Sequence, residues 1–99
     1  MNSKIFMVTV RWLDPTKTDV NVENIQKQLN VISGGISWIR FTQFLWLIKT
    51  NPFVTSDQVT NSINRTIAGL EQILVFEVDR KTRSGWCPEW VWNWINNDL

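Results

Sequence analysis

Few side chains in this chain stand where chemistry could use them. Asp14 follows the first apolar segment, Asp57 opens a helical one, Glu77 and Asp79 close another, and the single thiol is Cys87. The 99 residues contain no histidine, so the commonest general base and metal ligand is missing. Cys87 therefore has no imidazole to activate it, and the role of a small buried residue is expected of it. No glycine-rich phosphate loop, zinc spacing or nucleotide fingerprint occurs. The pair Gly34-Gly35 reads as a helix stop. Asp14 is the one carboxylate that a two-fold axis could bring together with its own copy, around Mg²⁺. Beside Pro15 it equally suits a plain surface turn. No other metal or cofactor is expected, and the balance leans away from an enzyme.

The dense basic cluster is Arg80, Lys81 and Arg83. By itself it is a solvated turn; doubled in a dimer and extended by Arg11 or Arg40, it would make a phosphate-binding stripe. The overall charge, ten basic against nine acidic residues, works against a strong nonspecific grip on nucleic acid. Four of the seven tryptophans fall between residues 86 and 94. They could stack bases, but Glu89 is the only charge among them, and packing by Trp86, Trp90, Val91, Trp94 and Ile95 is the simpler expectation.

These groups are positioned by a short list of elements. Residues 4–13 are β-branched and aromatic and stop before Asp14-Pro15, as a strand does. Asn21 is the expected N-cap of a first helix whose buried face is Val22, Ile25, Leu29 and Ile32. A hairpin follows, with arms near 36–41 and 44–50 and a reversal at Thr42-Gln43. That pair is a poor two-residue turn, so a wider or bulged loop is expected. Thr55 and Gln58 stand in capping-box spacing before a second helix carrying Val59, Ile63, Ile67 and Leu70. Residues 72–78 form the last strand, and Pro88 suits the first turn of a short terminal helix. The length and the order strand, helix, strand, strand, helix, strand predict one α+β domain over 1–99, ferredoxin-like βαββαβ, with both helices on one sheet face. Its core spans 4–78, and residues 79–99 are a packing or dimer segment.

Apolar residues line both sides of three strands: Phe6, Val8, Val10 and Trp12 against Ile5 and Met7, Phe44, Trp46 and Ile48 against Leu45 and Leu47, and Ile73 and Val75 against Leu74 and Phe76. A face without helices should be polar in a solitary protein. A homodimer built through Phe44, Trp46, Ile48 and the tail is the leading expectation. Cover by the chain's own C-terminal segment is the alternative. No apolar run reaches the ~20 residues of a membrane span, and no signal-peptide pattern opens the chain, so a cytoplasmic protein is expected.

The hairpin Trp38-Ile39-Arg40-Phe41-Thr42-Gln43-Phe44-Leu45-Trp46-Leu47-Ile48-Lys49-Thr50, the helix opening Thr55-Ser56-Asp57-Gln58, the strand Ile73-Leu74-Val75-Phe76-Glu77-Val78 and the ending Gly85-Trp86…Trp94-Ile95 resemble the SinR-like proteins. These are small relatives of the CRISPR-associated spacer-integration dimer subunit. The resemblance spans roughly residues 4–95. It implies a ferredoxin-like domain, a dimer built across the sheets and cytoplasmic residence. It further implies either a scaffold for nucleic acid or a metal-dependent nuclease with an aspartate ending the first strand. That position is Trp12 here, with Asp14 two residues later, so a nuclease would have to use Asp14. The expected function is a homodimeric binding protein for nucleic acid or a protein partner, in mobile-element or defence biology.

Overall fold

The computed structural model describes residues 3–35, 37–79 and 84–97. Strand β1 (Lys4–Trp12) leads through a 3-10 turn, Pro15–Lys17, into helix α1 (Thr18–Ile32). The hairpin strands β2 (Ser37–Thr42) and β3 (Leu45–Thr50) follow, then helix α2 (Ser56–Thr66), strand β4 (Leu70–Glu77) and helix α3 (Glu89–Asn96). The sheet order is β2-β3-β1-β4, and every neighbouring pair is antiparallel. Strands β1 and β2 are each antiparallel to β3 and so run the same way; β3 and β4 do so on either side of β1. The molecule is an α+β protein with a four-stranded antiparallel sheet, compatible with the expected class.

Local chemistry explains where the elements begin and end. The first helix starts earlier than Asn21. Asp14 accepts a hydrogen bond from the Thr16 N–H and caps the 3-10 turn, which runs directly into α1 at Thr18. Asn21 is thus inside the helix, three residues past its start. Gly34 and Gly35, at φ 65° and 78°, make the left-handed turn that ends it. In α2 the capping box is complete: the Gln58 N–H donates to the Thr55 hydroxyl, and the Thr55 N–H donates to the Gln58 side-chain oxygen. That helix stops at Thr66, so Leu70 opens β4 where a continuing helical stripe was expected. The hairpin reverses one residue later than expected, at Gln43-Phe44, and the pairing shifts between Arg40 and Thr42, a bulge of the anticipated kind.

Two cores result, one on each sheet face. The first joins Phe6, Val8, Val10, Trp12, Trp46 and Ile48 of the sheet to Val22, Ile25 and Leu29 of α1 and Val59, Ile63 and Ile67 of α2. Trp46 and Ile48, both fully buried there, lie beneath the helices, so their role is interior packing and not contact with a second chain. The second core joins Ile5 and Leu47 to Val91 and Ile95 of α3. The terminal helix is therefore the second cover of the sheet, supplied by the chain itself. It is fastened by Lys49, a buried lysine whose Nζ donates to the Asn97 carbonyl at 2.6 Å and lies 4.5 Å from the centre of the Trp94 ring. The Trp94 indole also donates to the Ser37 hydroxyl. A buried ammonium held by a carbonyl and an aromatic face is stabilised where an unpartnered one would not be.

Candidate interaction surface

Asp14 lies in a shallow depression bounded by Leu13, Lys17, Asn21, Ala68 and Gly69, with no second carboxylate beside it. Its Oδ1 accepts from the Thr16 hydroxyl at 2.7 Å and from the Thr16 N–H at 3.0 Å. The hydroxyl bond, then the backbone one, holds its carboxyl below the ordinary aspartate range, with a smaller contribution from Lys17. One exposed carboxylate already engaged by its own turn is a weak donor set for a divalent ion. Among the described residues no group of three or more histidine, cysteine, aspartate or glutamate side chains could hold a metal ion. Within one chain Asp14 is the lone carboxylate at this position, and the expected Mg²⁺ site would need the Asp14 of a second copy.

The proposed basic stripe is not brought together by the described residues. Arg11 sits opposite Gln72 on the α3 side of the sheet, and its Nε is 3.0 Å from the Glu71 carboxylate. Arg40 sits opposite Trp46 on the α1 and α2 side, over the Trp46 ring at 5.6 Å, and donates to the Gln43 carbonyl. The two arginines are on opposite faces, with β3 between their strands. Arg80, Lys81 and Arg83 lie outside the described residues.

What the fold does assemble is apolar. Helix α3 covers only part of its sheet face, because it packs over Ile5, Leu47 and Ile39 and leaves the far strand bare. On β4, Leu74 and Phe76 are 56% and 53% exposed, and they stand opposite Thr9 and Met7. Met7 also lines a groove of about 300 Å³ between the sheet and α3, with Phe41, Leu45, Leu47, Trp86 and Trp92 among its walls. Trp86 is fully exposed and does not anchor the terminal helix as expected; Trp90 is likewise more than half exposed. Val91 and Ile95 carry the packing of α3, with Trp92, Trp94 and Cys87 partly buried against them. Phe44 is exposed at the hairpin turn, where its carbonyl accepts from the Val10 N–H. Alternation along β4 was enough to identify Leu74 and Phe76 in the sequence; the position of α3 was needed to show that they stay uncovered.

No family model, curated protein or solved structure matches the chain. No helix among the described residues is long and apolar enough to cross a membrane.

Proposed function

We propose that this chain is a non-catalytic binding protein of ferredoxin-like arrangement that works as a homodimer, using the open half of its α3-side sheet face. The observation that carries the reading is the pair Leu74 and Phe76, each more than half exposed on a face whose other half is packed. Burying a side chain of this kind is worth about 1.5–3 kcal/mol when complete, so a partner that covers both recovers a good part of that. The strand order and the parallel relation of β1 with β2 and of β3 with β4 support the ferredoxin-like assignment. The kinship with SinR-like proteins is a proposal of the same kind, supported by this sheet-based architecture and by the residues that carry the resemblance.

A protein surface suits the open face better than nucleic acid. Aromatic side chains do line it, Phe76 on β4 and Phe41, Trp86 and Trp92 around the groove, but a base-stacking surface also needs cations among them. Arg11 on that face is neutralised by Glu71. Sedimentation velocity at micromolar protein tests the reading, and a dimer is expected; a stable, soluble monomer overturns it. Short duplexes titrated at graded salt should show no binding. Binding that weakens steeply with salt would replace the protein-partner reading with a nucleic-acid one.

A further inference from the structure

The outer edge of β4 is built to pair, and we infer that it pairs with itself. The inference rests on the homodimer reading and specifies how the two copies meet.

The Val78 N–H donates to the Ile5 carbonyl at 2.7 Å, so Val78 directs its backbone groups inward, towards β1. In an antiparallel ladder this alternates, and Phe76, Leu74 and Gln72 also point inward. The backbone N–H and C=O groups of Ile73, Val75 and Glu77 therefore point outward, where β4 has no neighbouring strand among the described residues. The other edge, β2, is protected in three ways. It is bulged between Arg40 and Thr42, it carries a charge at Arg40, and its start is tied to α3 through Ser37. On β4 the only irregularity is at the start, where Arg11 faces Gln72 and Trp12 faces Leu70, leaving Glu71 as the extra residue. From Gln72 to Glu77 the edge is regular and mostly apolar. A free edge of this description is a template for another strand.

The sequence selects a second copy as that strand. With a two-fold axis at Val75, Val75 meets Val75 of the second copy, and Ile73 meets Glu77 of the second copy, as hydrogen-bonded pairs. Leu74 then stands directly across from Phe76 of the second copy, twice, so the exposed side chains of the bare strip pack flank to flank. An axis at Leu74 would instead oppose Glu71 and Glu77 inside the strand, a like-charge pair, whereas the Val75 axis sets Glu71 opposite Asp79, which lies beyond the end of β4. In the Val75 register Glu77 faces an isoleucine and keeps its ion pair with Lys4, 3.3 Å away. The near-zero net charge adds little repulsion between copies. The product is a continuous eight-stranded antiparallel sheet.

The test is Val75→Pro, examined by sedimentation and circular dichroism beside the wild type. Proline at an outward position removes an edge donor without touching the β1 ladder, so the fold should persist. The dimer dissociation constant should rise at least about 100-fold, because the axial bonds and the flanking pairs are lost together. Leu74→Lys/Phe76→Lys, which alters exposed side chains only, should weaken the dimer in the same direction and serves if the proline variant fails to fold. Register is read by Leu74→Cys/Phe76→Cys in a Cys87→Ser background. The facing α-carbons would be about 4.5 Å apart, within disulfide range, and oxidation should link the two copies covalently. A wild-type dimer that survives Val75→Pro and forms no cross-link, yet is lost in Leu74→Lys/Phe76→Lys, overturns the edge geometry and leaves the homodimer through the open face standing; a dimer that survives every variant overturns both. A monomeric wild type removes both.

Discussion

At the scale of single residues, polar side chains here mostly secure the fold. The Asp14 carboxylate is held below its usual range by two bonds from Thr16. A lowered folded value means that its contribution is present above the ordinary aspartate range and is lost as pH falls through the folded value. Asp14→Asn should therefore flatten the acid limb of thermal stability as pH falls through and below the ordinary aspartate range, by a small amount because the group is exposed, as melting curves will show. On the non-catalytic reading the same variant should leave any Mg²⁺-dependent cleavage unchanged. Thr55→Ala should cost about 1 kcal/mol in urea unfolding, because it opens the capping box of α2. Thr55 and Gln58 were legible because a capping box is local and its spacing is invariant. Asn21 misled because asparagine is a favoured N-cap, whereas here the preceding 3-10 turn starts the helix three residues earlier. The true cap belongs to a 3-10 turn, whose signal is only Asp14-Pro15.

Among the elements, α3 is the one whose placement changes the reading. Its apolar spacing, Val91 to Ile95, marked a packed face, yet nothing in eight residues says which surface receives it. That is decided by Ile5, Leu47 and Lys49, far away in the chain. Ile95→Ala should lower stability by about 2–5 kcal/mol, measured by chemical unfolding, as it empties the centre of the smaller core. Removing the Lys49 ammonium with Lys49→Ala should raise amide exchange in α3 well before it does so in α1 or α2, because the tie to Asn97 and Trp94 is local. The two long helices were readable from period alone. Their buried positions Val22, Ile25, Leu29, Val59 and Ile63 are those the period marks. Leu70 was misassigned because α2 ends at Thr66 and the chain is already extended at Ile67, two residues before Gly69, the glycine near its end.

For the whole molecule, the apolar character of both sheet faces was evident in the strands, but its meaning was divided between the chain's own tail and a second copy. The fold gives the tail its share and leaves the rest open. Helix α3 takes Ile5 and Leu47, and Leu74 and Phe76 remain. Such a division depends on where a short helix stops along a sheet, which is a property of three-dimensional lengths and not of residue pattern. Dimer formation through the bare strip should strengthen as temperature rises from about 5 to 25 °C, because burial of apolar surface is weaker in the cold. Sedimentation at the two temperatures measures this directly.

The indole ring of Trp12, almost wholly shielded, has its Nε1–H without an acceptor, and Trp46 beside the same core is shielded completely. Trp86 and Trp90 stand in water. The protein thus carries its own optical depth gauge. Iodide should quench the outer pair and spare the inner pair, while a docking molecule on the α3 side should shift only the long-wavelength emission. Loss of the blue emission would instead signal that the interior itself has opened.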